Sequence, residues 1–263
     1  MANVIFENYV LANEIEDQFN SYLDLMRFAT VDATLEGTAG MMKKIHQYRA
    51  TNGTEKVAMG AGNTKSIEVN YNETEYKILC AQNRFSYHDE EAMTDPVAVQ
   101  TGIKHMAVDM FNTVNADIYG EFAKADEAHT VTGTGFDAFA DAVATLEVEG
   151  KEEAAGAEIF AWVNPKDMAG LRKALKDELK YVEAFVRTGY LGTVAGVNLY
   201  AKKDATQGTI IGGLKSAVTV FTKKGTEVAQ DREENIRKND IYSRKYYVAA
   251  ITDFSKAFKI TLA

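Results

Sequence analysis

The chain has few of the residues that cross-link or interrupt a fold. Its 263 residues include one cysteine, two prolines and one tryptophan. A single cysteine excludes an internal disulfide, and the scarcity of proline excludes a proline-rich linker between domains. A chain of this length can still bury about 75% of its unfolded surface. Because Cys80 lies in the apolar run ILCA at 78–81, we expect it to be a buried small side chain.

Long apolar segments are also absent. No run approaches the roughly 20 residues that a membrane-spanning helix requires. The N-terminal stretch lacks the basic region, apolar core and cleavage site of a signal peptide. We therefore expect no membrane partner, and a protein made in a reducing cytoplasm that stays there or in a particle assembled there.

Positive charge is in deficit, and the formal net charge is −9. Tight binding to a nucleic-acid backbone needs clustered Lys and Arg. The modest cluster of Lys43, Lys44 and Arg49 has no interleaved aromatic side chains. The charge balance therefore argues against tight nucleic-acid binding, and it suits a surface that should not adhere to a packed polyanion.

Motifs for catalysis, cofactors and metals are missing as well. No two of the four histidines (His46, His88, His105 and His129) are spaced i and i+4, which excludes a helical His–His metal pair. There is no G-x-S-x-G nucleophile elbow. The run TGTG at 132–135 does not match a phosphate loop, so we expect a linker between subdomains there.

The sequence His88-Asp89-Glu90-Glu91 allows two interpretations. The acids are either metal ligands or an acid–base pair, or solvated side chains that favour the positive N-terminal end of a helix. The second interpretation is the simpler one. We predict no catalytic residue, cofactor or metal site, but missing motifs leave open a cytoplasmic enzyme with an unrecognised site.

What the sequence does contain is a long helix near its centre. Asp95 can cap the N-terminus, and Pro96 can take the first helical position, where a missing N–H costs nothing. Apolar residues then recur at spacings of three and four, up to about residue 124. They are Ile103, Ala107, Met110, Phe111, Val114, Ile118 and Phe122. At 1.5 Å per residue this helix spans roughly 40 Å, a length typical of a strut in an extended building block.

A long hairpin precedes this helix. Strand patterns lie at 41–48, 67–71, 76–80 and 85–87. The segment 49–65 between the first two is rich in Gly, Asn and Thr, and it contains the turn dipeptide Asn52-Gly53. Such a hairpin cannot bury both of its own faces and is marginal alone. We therefore expect it to lie on a neighbouring copy of the chain.

The remaining segments predict an arm, a second α/β unit and a β-rich ending. Residues 1–30 have the apolar spacing of an amphipathic helix. Residues 136–146 predict a helix, and residues 158–163 predict a strand with Trp162 in the core. Asn164-Pro165 begins a second helix, whose apolar stripe runs to Leu179. Strands are expected at 197–200, 209–211, 217–221, 246–251 and 258–262. The mixed charges of 231–245 predict a solvated face, or a contact between copies that sets register.

The order of these parts resembles the major capsid proteins of tailed bacteriophages, which have the Hong Kong 97-type fold. The resemblance lies in the helix after Asp95-Pro96 and in four stretches: WVNPKDMAGLRK at 162–173, GTVAGVNLYAKK at 192–203, TIIGGLKSAVTVF at 209–221 and SRKYYVAAITDFSKAFKI at 243–260. It implies an α+β chain divided into an N-terminal arm (1–36), an extended E-loop hairpin (37–75), a P domain with a spine helix (76–130), an A domain (131–225) and a C-terminal return to the P-domain sheet (226–263).

The resemblance also implies a function. Such a subunit self-assembles through hexamers and pentamers into an icosahedral shell that encloses double-stranded DNA, and it is a virion component assembled in the bacterial host cytoplasm. Implied partners are other copies, portal and scaffolding proteins, and DNA bound without sequence specificity; no cofactor is implied. Some members of the family cross-link a loop lysine to an asparagine, but no partner asparagine can be assigned here. An encapsulin-type nanocompartment shell and another phage structural protein are alternatives.

Contacts between subunits are predicted in the loop and in the charged C-terminal segment. The candidates are Arg49, Thr51, Asn52, Glu55, Lys56, Lys65, Arg232, Arg237, Asp240 and Arg244.

Overall fold

The computed structural model describes residues 6–7, 24–50, 53–125, 127–146, 157–176 and 192–262. The predicted amphipathic arm falls largely on residues 8–23, and the predicted end of the helix stripe at Leu179 falls on 177–191. Both lie outside the described residues.

Four α-helices and thirteen strands are described. The helices are α1 (Asp89–Thr94), α2 (Pro96–Phe122), α3 (Phe136–Thr145) and α4 (Pro165–Ala174). The strands are β1 (Phe6–Glu7), β2 (Thr30–Asp32), β3 (Met42–Ala50), β4 (Val69–Lys77), β5 (Leu79–His88), β6 (Thr130–Thr132), β7 (Ile159–Val163), β8 (Thr193–Val194), β9 (Val197–Ala201), β10 (Thr209–Leu214), β11 (Val218–Glu233), β12 (Lys238–Ile251) and β13 (Ala257–Thr261).

The predicted long helix is confirmed as α2. The Asp95 carboxylate accepts hydrogen bonds from the N–H groups of Val97 and Ala98, and Pro96 is the first helical residue. Every residue of the predicted apolar stripe except the half-buried Ile103 is buried. The helix lies against β5, β11 and β12. Local sequence signals were therefore sufficient to predict both the start of this element and its buried face.

A first sheet lies beneath this helix, in the order β1-β11-β12-β5, with β2 also paired to β11. Strands β11 and β12 form one long antiparallel hairpin, paired from Val218↔Ile251 to Glu233↔Lys238. The predicted strands 217–221 and 246–251 were too short. The charged stretch between them is also strand, because one face carries Val228 and Ile241, which are buried in a cluster with residues of α2.

A second sheet runs in the order β6-β13-β10-β7-β9-β8. All five residues of β7 are buried, and the prediction that Trp162 belongs to the core is confirmed. Two expectations were wrong. Residues 130–132 of the predicted connector form β6, which pairs in parallel with β13. The C-terminal strand β13 joins this sheet, not the sheet beneath α2, because Phe258 and Ile260 pack into the second core.

An aromatic cluster joins the two sheets beside the C-terminal half of α2. Trp162 lies 5.0 Å from both Phe122 and Phe160 and 5.6 Å from Phe28, measured between ring centroids. Tyr119 adds a fifth ring at 6.0 Å. Such offset and edge-on pairs each add about 0.5–1.5 kcal/mol beyond the area that they bury. The helix and the two sheets therefore share one core at this end of α2.

Candidate assembly surfaces

The predicted hairpin is present as β3 and β4. The two strands pair from Met42↔Lys77 to Ala50↔Val69, and within the described chain neither pairs with any other strand. Nine pairs at about 3.4 Å per residue carry the far end of the ladder about 27 Å from its base. Large apolar side chains are exposed along it: Met41, Met42, Ile67, Val69 and Tyr71. The hairpin thus presents apolar surface that the described part of the chain leaves uncovered.

The loop at the far end of the hairpin is tied together by its own side chains. The Glu55 carboxylate accepts hydrogen bonds from the backbone N–H of Thr64 and from its hydroxyl, the latter at 3.1 Å. The Asn63 amide donates to the carbonyl oxygens of Lys65 at 2.7 Å and Gly53 at 3.3 Å. These bonds cross between the two arms of the loop, so its shape is set before any partner arrives.

The tip of this loop is apolar. A turn is closed by the Ala61 N–H donating to the Ala58 carbonyl at 3.0 Å, and Gly60 takes the positive φ of 84° that the turn requires. Val57 is half-exposed and Met59 is fully exposed. Exposed apolar side chains at the end of a long projection are typical of a contact with another molecule.

The base of the hairpin is fastened to the body of the molecule. The Glu121 carboxylate on α2 accepts hydrogen bonds from the Tyr76 hydroxyl at 3.4 Å and from the Ile251 N–H at 3.2 Å. The Lys124 ammonium lies 2.5 Å from the same carboxylate. Burial and the neighbouring carboxylate raise the pKa of Tyr76 to about 12. Next to it, the Ile78 side chain is only 3% exposed.

A cleft of about 490 Å³ opens beside this base, between α2, the junction of β4 with β5, and β12. Its lining includes Leu79 and Cys80, both exposed. Across the cleft, the Tyr247 hydroxyl donates a hydrogen bond of 2.6 Å to Asp117. The prediction that Cys80 is buried was wrong. The apolar run crosses from β4 to β5 at the cleft, where Ile78 is buried and Ala81 packs partly buried against the core.

Charged residues gather at the turn between β11 and β12. The Arg232 guanidinium lies 2.8 Å from the Asp89 carboxylate and 2.7 Å from that of Glu234. Arg237 lies 2.6 Å from Glu90. Two of the residues predicted to contact other subunits therefore already hold ion pairs within the chain. Because these pairs are largely exposed, each is worth about 0–1 kcal/mol, so an exchange of partners between copies would cost little.

Two further predicted contact residues lie on β12. Asp240 accepts hydrogen bonds from the Ser86 hydroxyl and, at 3.1 Å, from Lys238, and the Ser86 bond is the main reason that the pKa of Asp240 is lowered. The Arg244 guanidinium lies 5.6 Å from the ring centre of Tyr242. Its Nε has no hydrogen-bond partner among the described residues.

The predicted contact residues thus fall into two groups, one on the hairpin and one on and beside the turn between β11 and β12. Glu55, Lys56 and Lys65 lie in the hairpin loop and Arg49 lies in β3, whereas Thr51 and Asn52 are outside the described residues. None of the hydrogen bonds and ion pairs given above joins a residue of the hairpin to a residue around the charged turn. The apolar tip was missed, although Val57 and Met59 within a glycine-rich polar loop were visible in the sequence.

The described residues contain neither a metal-binding cluster nor a membrane-spanning helix. No group of three or more His, Cys, Asp or Glu side chains there could hold a metal ion. No helix among those residues is long and apolar enough to cross a membrane. The acids Asp89, Glu90 and Glu91 occupy the first turn of α1, as expected for side chains at the positive end of a helix.

Comparison with known proteins gives one curated relative and many structures. No family model matches the sequence. The chain is 25% identical over 265 residues to the major capsid protein of Staphylococcus phage phiMR11, covering 96% of this chain and 92% of that protein. It is similar to the capsid of cyanophage P-SCSP1u, with a TM-score of 0.64 and 12% identity over 90% of this chain and 86% of that one.

The capsid of a native GTA particle has the same fold, with a TM-score of 0.67 and 13% identity over 91% of this chain and 90% of that one. These structures share the mixed arrangement of helices and sheets in overall fold only, whereas the curated relative also matches in sequence along nearly the whole chain. The curated relative, which matches in sequence along nearly the whole chain, indicates a phage major capsid shell protein, and the solved capsid structures share its overall fold.

Proposed function

We propose that the chain assembles through hexamers and pentamers into an icosahedral shell around double-stranded DNA, and that it has no enzymatic activity. The observation that carries this proposal is the hairpin. Its apolar side chains Met42, Val69 and Tyr71 are exposed, and its strand ladder extends about 27 Å from its base. A neighbouring copy can cover this surface, and stable interfaces bury roughly 1,200–2,000 Å² in total.

The subunit division that we propose is that of the Hong Kong 97-type fold. It consists of an arm (1–36), an E-loop hairpin (37–75), a P domain with a spine helix (76–130), an A domain (131–225) and a C-terminal return (226–263). The long helix on the first sheet supports a P domain, and the separate core formed by the second sheet with α3 and α4 supports an A domain. Two strands depart from this scheme: β13 pairs within the second sheet, and the first part of β11, from Val218, belongs to the first sheet.

The proposed environment is the virion, with assembly in the bacterial host cytoplasm. The net charge of −9 supports a shell that holds DNA without trapping it, since phosphate binding requires clustered positive charge. Portal and scaffolding proteins complete the set of proposed partners.

The experiment is electron microscopy of the purified protein, compared with a variant that lacks residues 51–64. We expect closed particles from the full chain, and a folded subunit without particles from the variant, with folding checked by circular dichroism. A matched control is Phe136→Ser, which removes an exposed aromatic ring outside the proposed contacts and should assemble normally.

Two results would contradict the proposal. A small oligomer that persists at all concentrations would exclude a shell, and normal particles from the deletion variant would exclude the role of the hairpin. Particles from infected cells that contain a cargo enzyme instead of double-stranded DNA would favour the nanocompartment alternative.

A further inference from the structure

The base of the hairpin is held to the body of its own chain at two points. On β3, the Lys43 ammonium lies 4.6 Å from the ring centre of Phe221 on β11. On β4, the Tyr76 hydroxyl donates a hydrogen bond of 3.4 Å to the Glu121 carboxylate on α2. We propose that these two contacts act together as a clamp that sets the direction in which the hairpin leaves the body, with Glu121 as the positioning residue. The consequence for shell closure rests on the proposed shell function.

Both contacts are made by one cross-strand pair. Lys43 and Tyr76 stand directly opposite each other in the ladder, so their side chains leave the same face of the hairpin about 5 Å apart. The ladder itself is held by backbone hydrogen bonds. A substitution at either residue therefore removes one contact of the clamp and leaves the pairing of β3 with β4 intact.

The two partners of this pair lie on opposite sides of the first sheet. Tyr247 points toward α2, because its hydroxyl donates to Asp117. Side chains alternate along a strand, so the adjacent Val248 and its register partner Phe221 point away from α2. The clamp thus holds the sheet from the helix side through Glu121 and from the other side through Phe221. One contact alone would let the hairpin swing about it, whereas two contacts fix its angle.

A short connection joins the hairpin to the sheet behind these contacts. Ile78 is the one residue between β4 and β5, its N–H donates to the Met41 carbonyl at 2.9 Å, and its side chain is buried. Before the ladder begins, the Lys223 ammonium donates to the Thr38 carbonyl. Within the described chain neither β3 nor β4 pairs with any other strand. The direction of the hairpin is therefore decided at its base.

Glu121 can hold one side of the clamp because it is itself fixed. Its side chain is only 12% exposed, and the carboxylate also accepts from the Ile251 N–H at 3.2 Å. The Lys124 ammonium lies 2.5 Å from this carboxylate and 5.6 Å from the centre of the Tyr76 ring. Hydrogen bonds to an ionised acceptor are stronger than neutral ones. Glu121 thus joins α2, β12 and the hairpin at one point.

A small change at the base is magnified at the far end of the hairpin. The ladder is about 27 Å long, so a swing of about 20° displaces its end by about 9 Å. That displacement exceeds the spacing between neighbouring strands, which is about 4.8 Å. A surface carried by a hairpin that swings this far would miss its partner on another copy, so shell closure should depend on the clamp.

The test measures the direction of the hairpin in the unassembled subunit. In a Cys80→Ser background, Met59→Cys on the hairpin loop and Met93→Cys on α1 place two thiols at exposed positions. Both are spin-labelled, and the distance between the labels is measured by double electron–electron resonance. We expect one narrow distance distribution in this parent. Lys43→Met combined with Tyr76→Phe should shift or broaden that distribution by about 5 Å or more.

Lys44→Met is the matched control for the charge. Lys44 follows Lys43 on β3, but its ammonium lies 2.5 Å from Glu73 and 2.7 Å from Glu75, both within the hairpin. Removing this ammonium takes away a lysine of the same strand without touching the clamp. The distance distribution of Lys44→Met should therefore equal that of the parent.

Two substitutions of Glu121 separate positioning from a general loss of stability. Glu121→Gln keeps a carbonyl oxygen that can accept from Tyr76, so it should retain the distance distribution of the parent. Glu121→Leu removes the acceptor and should shift or broaden the distribution. Urea midpoints of the two variants record stability separately, and a merely structural role would lower the midpoint without changing the distance.

Three results would overturn the inference. The first is a double variant, Lys43→Met with Tyr76→Phe, whose distances equal those of Lys44→Met, and the second is an equal change in Glu121→Gln and Glu121→Leu. The third is a double variant that forms closed shells like those of Lys44→Met by electron microscopy, because it would break the link to assembly. If the double variant fails to fold by circular dichroism, the two Glu121 variants decide alone. If the unmodified chain forms no shells, the proposed function fails while the distances still test the clamp.

Discussion

Gly102 in the long helix allows a quantitative test of how α2 packs on the first sheet. A Cβ at this position would lie 2.3, 2.4 and 2.7 Å from the Cζ, Cε2 and Cε1 atoms of the Phe85 ring on β5. Ordinary contact begins near 3.4 Å, so the substitution Gly102→Ala requires the ring to move by about 1 Å. The ring has little room, because it stacks on Tyr87 with 5.9 Å between centroids and packs against the cluster that contains Met106 and Ile241.

Gly120 of the same helix is the matched comparison. No heavy atom lies within 4 Å of the position that its Cβ would occupy. Replacing glycine by alanine within a helix stabilises by up to about 1 kcal/mol, and overpacking costs about 1–3 kcal/mol. We therefore expect Gly120→Ala to raise the free energy of unfolding by about 1 kcal/mol. The free energy of unfolding of Gly102→Ala should be about 1–3 kcal/mol lower than that of Gly120→Ala, a difference equal to the full overpacking cost.

The assay is urea denaturation of the unassembled subunit, at concentrations where sedimentation shows no oligomers, because assembly would add its own stabilisation. The midpoint is compared at constant m-value. Adding Phe85→Leu should relieve the clash, so the two changes together should cost less than their sum, with a coupling of about 1–2 kcal/mol. If both alanine variants stabilise equally, the ring does not pack on Gly102 and the helix is placed wrongly on the sheet.

Three further predictions concern stability. Burial and the bond to Asp117 raise the pKa of Tyr247 above its ordinary 10.0, so the folded state keeps a proton that the unfolded chain loses. The free energy of unfolding should therefore hold below about pH 10 and fall above it. The variant Tyr247→Phe should flatten that fall, as measured by urea midpoints at about pH 9 and 11. Ala195 has φ 48° and precedes Gly196 at φ 82° in the β8–β9 turn. Because asparagine adopts a positive φ more readily than alanine, Ala195→Asn should stabilise the fold by about 0.5–1 kcal/mol. An unchanged thermal midpoint would count against this geometry. Phe28 is buried against three aromatic rings, so Phe28→Ala should cost about 3–5 kcal/mol by circular dichroism, whereas the exposed control Phe136→Ala should cost less than about 1 kcal/mol.

The sequence alone determined the features whose causes are local. A cap, a proline and a stripe of apolar residues predicted where α2 begins and which of its faces is buried, because a helix makes its hydrogen bonds within one segment. The apolar run around Trp162 predicted the buried strand β7 in the same way. The order of the segments also indicated the capsid family, since that order needs no knowledge of contacts.

Only the tertiary structure decided the features that depend on partners distant in the chain. Strand pairing placed β13 in the second sheet, and the packing of α2 turned one face of the charged stretch 231–245 into buried strand. The junction of β4 with β5 exposed Cys80, although its neighbours in sequence are apolar. A strand is completed by residues far away in sequence, and burial is set by whatever packs on it. For that reason the cleft beside the hairpin base could be found only in three dimensions.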